Sequence, residues 1–193
     1  MRALLMVFFA YLLGSVPTGF LLGRFSGVDV RRAGSGNVGA TNVARVVGKK
    51  QGLLTLLGDA AKGFVPVYLS VYLGFDPAIT ALAALAAFLG HLYPLFLKFQ
   101  GGKGVATALG IFLSLAPMAT VVVVFVFAFV AMVSRMISPG SLVAAGFAPI
   151  AFWFFSYPPL LVWLSLLIGL LIILRHRENI QRLISGVEPR FDL

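Results

Sequence analysis

PMATVVVVFVFAFVAMV, Pro117 to Val133, runs for seventeen residues without a charge. Coiled as an α-helix at about 1.5 Å per residue, it reaches most of the way across a hydrocarbon core of roughly 30 Å. It shows no alternation of apolar and polar residues, so it is no barrel strand, and a segment facing lipid must satisfy its own backbone hydrogen bonds. The stretch is a membrane helix.

Outward from it, further apolar stretches lie at Ala3 to Leu22, Leu53 to Leu73, Pro77 to Leu97, Val105 to Leu115, Leu142 to Phe155 and Leu160 to Leu174. The whole 193-residue chain is 60% hydrophobic and 11% charged, with a mean hydropathy of +1.02, where soluble domains carry about 25% charge. A water-soluble fold is excluded. The expected class is all-α, a polytopic transmembrane helix bundle forming a single domain over 1–193. No cysteine is present, which closes off disulfides, thiol nucleophiles and thiolate metal sites.

Fifteen Lys and Arg stand against six acids. In a soluble protein such an excess suggests nucleic acid; in a membrane protein it reads first as an orientation signal, and no nucleic-acid partner is expected. If the first span enters from outside, Arg24, Arg31, Arg32, Arg45, Lys49 and Lys50 fall on the cytoplasmic side, as do Lys98 to Lys103, while Asp76-Pro77 faces outward. Breaking the later stretches at Pro117 and at Pro158-Pro159 places Arg135 and the tail arginines inside as well. Seven spans result, with the N-terminus outside and the C-terminus cytoplasmic. Five spans would need a 33-residue helix through a Pro-Pro pair, which proline geometry disfavours. Arg2 and Gly14-Ser15 could pass for a signal peptide, but the apolar run continues through Pro17 to Leu22 without a small-residue cleavage site, so an uncleaved first helix is expected. The small residues of ALAALAA, Ala81 to Ala87, suit close helix packing.

Chemistry concentrates in the basic connections. GSGNVGATN, Gly34 to Asn42, contains G-x-G-x-x-G, but an arginine-rich loop precedes it instead of a strand, so the dinucleotide reading fails. Its glycines also have P-loop spacing, yet Ala40 stands where the phosphate-binding Lys belongs. What both patterns share remains. The backbone of Gly34, Gly36 and Gly39 can turn amides toward an anion, Ser35, Asn37, Thr41 and Asn42 add neutral donors, and Arg45 adds a fixed charge. Taken alone, a flexible basic loop explains this segment equally well. Gly101-Gly102-Lys103-Gly104 repeats the design on the same expected face, after His91. Asp59 and Lys62, three apart in GDAAKG, share one helix face and can neutralise each other inside the membrane. Ser138-Pro139-Gly140-Ser141 is expected as the last inward loop.

Together, GSGNVGATNVAR (Gly34 to Arg45), GDAAKG (Gly58 to Gly63), GHLYPLFLKFQGGKGVAT (Gly90 to Thr107) and RHRENIQRL (Arg175 to Leu183) resemble one family, the bacterial acyl-phosphate-dependent glycerol-3-phosphate acyltransferases. The likeness covers essentially the whole chain. One departure is visible: where the family usually carries paired serines, only Ser138 and Ser141 flank Pro139-Gly140. The resemblance implies acyl transfer from acyl phosphate to the 1-hydroxyl of glycerol 3-phosphate at the cytoplasmic side of a bacterial inner membrane, with a soluble acyl-phosphate-forming enzyme as a partner. Ser35, Arg45, Lys103, His176 and Asn179 are then the expected catalytic residues. Gly34, Gly36, Asn37, Gly39, Thr41, Asn42, Asp59, Lys62, His91, Gly101, Gly102, Gly104 and Ser141 are the expected substrate contacts.

An acyl phosphate is already activated, so positioning and oxyanion stabilisation suffice and no cofactor is required. Neither His91 nor His176 has an acid five residues on, since Phe96 and Gln181 stand there; the H-x4-D pair of soluble-type acyltransferases is absent. The base is therefore expected to be a substrate phosphate, with His176 the alternative. Asp29, Asp59, Asp76, Glu178, Glu188 and Asp192 are scattered, so no metal is expected. Two rival functions fit the composition: an organic-phosphate transporter, and an anionic-lipid-binding membrane protein.

Overall fold

The computed structural model describes residues 1–191; Asp192, one of the six acids, lies outside them. Among the described residues there are only helices, turns and loops. The chain forms two compact units, Met1–Ser114 and Leu115–Leu193.

In the first unit, α1 (Arg2–Gly14) and α2 (Thr18–Phe25) divide the stretch expected as one helix. Pro17 causes the break, because it offers no N–H to the ladder and pushes the residue before it out of helical geometry. The short α3 (Ala40–Val46) follows the glycine-rich loop and folds against α4 (Lys49–Tyr72). Asp76 caps α5 (Pro77–Leu92), its carboxylate accepting from the Ala78 and Ile79 amides at 2.9 and 3.0 Å, with Pro77 in the first turn, where its missing N–H costs nothing. A 3-10 turn, Leu95–Leu97, ends the segment expected as continuous helix to residue 97. The 11-residue α6 (Val105–Leu115) closes the unit.

Helices in lipid gain little from apolar burial against one another, so close backbone approach has to supply the packing. Small residues provide it here. A Cβ on Gly14 would overlap the Ala87 carbonyl and one on Gly90 the Tyr11 carbonyl, so α1 and α5 touch backbone to backbone. Met6, Ala10, Ala83 and Ala87 form the core between them, as the ALAALAA run suggests. Gly63 and Gly110 bring α4 and α6 together in the same way.

In the second unit, α7 (Pro117–Ser134), α8 (Ile137–Phe154) and α9 (Pro159–Arg175) pack in sequence, and α10 (Arg177–Ile184) leaves α9 at a 58° bend. The breaks fall at Pro117 and Pro158-Pro159 as expected. Ser138 to Ser141, expected as a loop, instead form the first turns of α8. Pro139 fits there because first-turn amides have no helical partner to lose.

Each of the seven apolar stretches is largely helical. Five helical segments are long and apolar enough to cross a membrane, or six if the bent α9–α10 pair counts as one, while α6 has 11 residues, about half of the roughly 20 that a full crossing takes. Phe125, Phe129, Trp153 and Trp163 are each about 70% exposed, an arrangement suited to lipid contact and costly in water.

Candidate active site

Asn42 builds the first glycine segment from inside. Its side chain is buried; Oδ1 accepts from the Ser35 amide at 2.9 Å, and Nδ2 faces the carbonyls of Val30, Ala33 and Asn37 at 2.9 to 3.1 Å. Gly34 and Gly36 take φ of +61° and +70°, which favours glycine, and a Cβ on Gly34 would strike Asn42 Oδ1. The Gly39 amide donates to Asn37 Oδ1 at 2.8 Å and the Gly36 amide to the Ala33 carbonyl at 3.1 Å. The expected cradle is thereby narrowed. The amides of Ser35, Gly36 and Gly39 and the Asn42 amide group are spent within the loop, so they shape it instead of meeting an anion. Ser35, Thr41 and Arg45 are exposed, and Arg45 follows Asn42 by three residues on α3. Arg31 is engaged by Asp29, donating through Nη2 at 2.9 Å and Nε at 3.0 Å, and its guanidinium lies over the Phe20 ring. Those bonds hold the Asp29 carboxyl down at about 2.

The second segment wraps the end of α5. The Gly101 amide donates to the Leu92 carbonyl at 3.1 Å and the Gly102 amide to the His91 carbonyl at 3.2 Å, satisfying carbonyls that the helix terminus leaves open. A Cβ on Gly101 would hit the His91 carbonyl, and one on Gly102 the His91 imidazole. The amides of these two glycines, expected to face phosphate, are thus turned to the end of α5. Gly104 has φ +86°, and a Cβ there would strike Phe88. Lys103, between them, is half-buried.

Beneath both segments lies a buried ionic cluster. Lys62 Nζ is 2.8 Å from Asp59 Oδ1 and donates to the Val16 carbonyl at 2.8 Å. It thus neutralises its neighbour on α4 and occupies a carbonyl exposed by the α1–α2 break. His91 Nδ1 stands 3.8 Å from Asp59 Oδ1, beyond hydrogen-bond length but close enough to attract an imidazolium. Asp59, Lys62 and His91 share a small recess with Thr18, Gly19, Val38, Pro94 and Leu97, so it adjoins Val38 of the first glycine segment and the turn leading into the second. Sequence reading does not find Val16, Thr18 or Gly19, because a helix break shows only as Pro17.

In the second unit, three donors converge on one carboxylate. Ser138 Oγ donates to Glu188 Oε1 at 2.7 Å, Asn179 Nδ2 to the same oxygen at 2.6 Å, and Arg182 Nε to Oε2 at 2.8 Å. Burial works to raise the Glu188 pKa, but the three hydrogen bonds and the arginine charge together hold it below the ordinary value. His176 is buried, with Nδ1 2.8 Å from the Ile172 carbonyl. A carbonyl only accepts, so Nδ1 carries a proton and Nε2 is the basic nitrogen of the neutral ring. Ser141 Oγ donates to the Ile137 carbonyl at 3.1 Å. Glu188 and Ser138 are absent from the residues expected from sequence, and nothing in the tail sets Glu188 apart from its neighbour acids Glu178 and Asp192. Among the described residues, no group of three or more His, Asp or Glu side chains is placed to hold a metal ion.

The sequence profile of the glycerol-3-phosphate acyltransferase family matches residues 4–186. A glycerol-3-phosphate acyltransferase of Trichlorobacter lovleyi is 51% identical over 182 residues, 94% of each chain. One of Geobacter metallireducens is 54% identical over 182 residues, again 94% of each. The crystal structure of PlsY, an integral membrane glycerol 3-phosphate acyltransferase, in its glycerol 3-phosphate form superposes with a TM-score of 0.96 at 43% identity, covering 100% of this chain and 96% of that one. The lysophosphatidic acid form gives 0.94 at 42% identity with the same coverage.

Proposed function

The chain belongs to the glycerol-3-phosphate acyltransferase family, and from that premise we propose that it moves a fatty acyl group from acyl phosphate to the 1-hydroxyl of glycerol 3-phosphate, yielding lysophosphatidic acid and inorganic phosphate. It is a multi-pass membrane acyltransferase, and the rival readings as a transporter or a lipid-binding protein give way to that membership. The single-domain reading of 1–193 belongs to the same proposal; the family match runs through both units. So does the placement of the basic segments on the cytoplasmic face of an inner membrane, where a soluble enzyme could deliver acyl phosphate.

The observation that carries the donor assignment is the pair of glycine-rich segments, each presenting a cation. One carries exposed Ser35, Thr41 and Arg45, the other Lys103, and the buried Asp59–Lys62 pair near both is already neutral. Two anion-seeking segments suit a reaction in which both substrates bear phosphate. Arg45, Lys103 and Ser35 hold phosphate and steady the oxyanion; His176, Asn179 and Ser141 orient glycerol 3-phosphate. Asp59, Lys62 and His91 act as a brace under the segments, a role closer to their contacts than direct substrate binding.

The 1-hydroxyl oxygen attacks the acyl carbonyl carbon, the bond from that carbon to the phosphate oxygen breaks, and the hydroxyl proton leaves on phosphate. A phosphate with a second pKa of about 6 can accept that proton near neutrality. The alternative base is His176 through Nε2. Purified protein offered acyl phosphate, acyl-CoA or acyl carrier protein thioester separates the donors: turnover with acyl phosphate alone supports the proposal, and turnover with a thioester but not acyl phosphate contradicts it. Loss of several orders of magnitude in kcat for His176→Ala, restored by imidazole, would transfer the base role to His176.

A further inference from the structure

Arg31, four residues before Ser35, is held from three sides. Its Nη2 and Nε donate to the two oxygens of Asp29 at 2.9 and 3.0 Å, and its own amide donates to Asp29 Oδ1 at 3.1 Å. Its guanidinium carbon lies 4.5 Å from the centre of the Phe20 ring. Phe20 belongs to α2, so the loop is laid against that helix. Arg32, the next residue, is 88% exposed, and its Nε stands 3.9 Å from the same carboxylate.

The backbone between these contacts is fixed as well. The Val28 amide donates to the Gly23 carbonyl at 2.8 Å, a Cβ on Gly23 would strike Val30, and Val30 is fully buried in the cluster of Val38, Val43 and Leu97. The Arg31 carbonyl in turn stops at Gly36, where φ is +70° and a Cβ would lie 3.1 Å from that oxygen. Ser35 is therefore located from two directions: Asn42 accepts from its amide at 2.9 Å, and Arg31 sets the chain that Gly36 abuts. An ion pair this open, with the Arg31 side chain 41% exposed, adds little to stability. What a bidentate pair stacked on a ring supplies is direction.

We propose that Arg31 is a positioning residue: clamped between Asp29 and the Phe20 ring, it sets the backbone that places Ser35, and it does not itself take the substrate phosphate. The proposal rests on the reading of Ser35 as a phosphate contact. Asp29 has two tasks in it. It orients the guanidinium, and it neutralises a cation that would otherwise draw phosphate to the wrong side of the loop.

Asp29→Asn tests this, because it keeps the size and the Arg31 charge while removing the bidentate partner. The expected result is a kcat lowered on the order of tenfold, as for a displacement of a fraction of an ångström at the reacting centre. The thermal midpoint in lipid bicelles should stay at the wild-type value. Arg31→Lys keeps the charge but has neither the fork nor the flat face, and its kcat should fall by the same factor. The pair Asp29→Asn with Arg31→Lys should be no worse than either alone, since the two residues act as one clamp.

Wild-type kinetics in Arg31→Lys would mean that only the charge is used, and would overturn the clamp. A thermal midpoint that falls in step with kcat would do the same, by showing a structural tie. Unchanged kinetics in Asp29→Asn, beside a lowered kcat in Ser35→Ala, overturn the positioning role and leave the reading of Ser35 intact. Unchanged kinetics in Ser35→Ala overturn that reading, and the positioning role with it. If Asp29→Asn fails to accumulate in membranes, Phe20→Leu, which keeps the apolar packing and removes the ring, carries the test: a lowered kcat at an unchanged thermal midpoint supports the proposal, and wild-type kinetics overturn it.

Discussion

Lys62 Nζ meets Asp59 Oδ1 at 2.8 Å, one turn apart on α4, and the same ammonium donates to the Val16 carbonyl across the α1–α2 break. Both side chains are almost fully buried. Removing one partner strands the other charge in a poorly solvated place, at a cost of about 3–5 kcal/mol, whereas replacing both with apolar residues of similar size is far milder. Asp59→Ala should therefore lower the thermal midpoint sharply in bicelles, and Asp59→Leu with Lys62→Met should recover most of it. A double variant as unstable as the single would show that the pair does more than neutralise itself.

Asn42→Ala removes four hydrogen bonds from the glycine loop. Ser35 is exposed and Ala33 and Asn37 half-buried, so water can take over part of the loss, leaving a cost on the order of 2–3 kcal/mol. The loop should open to proteolysis between residues 31 and 41, and phosphate-dependent activity should fall with it. Retained activity together with protease resistance would mean that Asn42 is dispensable to the loop.

Gly102→Ala places a methyl against the His91 imidazole. The ring is confined beside Asp59, so the loop has to give way and Lys103 moves with it. A displacement near 1 Å at a reacting centre costs on the order of a hundredfold in rate. We expect kcat/KM to fall by about that factor while the protein stays folded; wild-type kinetics would separate Lys103 from the chemistry.

The Glu188 carboxyl has a folded pKa below its ordinary value of 4.5, because the hydrogen bonds from Ser138, Asn179 and Arg182 outweigh burial. A depressed carboxyl contributes stability that is fully present above the unfolded pKa and is lost as pH falls from 4.5 through the folded value. The thermal midpoint of the wild type should therefore drop more steeply than that of Glu188→Gln as pH is lowered through 4.5. Parallel curves would mean that the carboxylate gains nothing from its three donors.

Much of the fold is legible in the residues themselves. Pro117 and Pro159 open α7 and α9, where a missing N–H costs nothing, and the apolar runs between charges mark the rest. The Asp59–Lys62 pair is readable from helical spacing alone. Other features depend on direction, which a sequence does not carry. Asn42 reads as a donor for an anion, yet its amide is turned inward to three carbonyls. Gly101 and Gly102 read as phosphate amides, yet they close the end of α5. Pro17 sits within an apolar run, and only the folded chain shows that α1 stops before it. Glu188 reaches Ser138 over fifty residues of chain, a contact no local pattern announces.

The most direct test is the stoichiometry of the purified protein in lipid vesicles supplied with acyl phosphate and labelled glycerol 3-phosphate. The expected result is inorganic phosphate and labelled lysophosphatidic acid formed one for one, each requiring both substrates and neither formed when Arg45 and Lys103 are replaced by alanine. Phosphate release that proceeds without glycerol 3-phosphate, or lysophosphatidic acid formed without acyl phosphate, would contradict it.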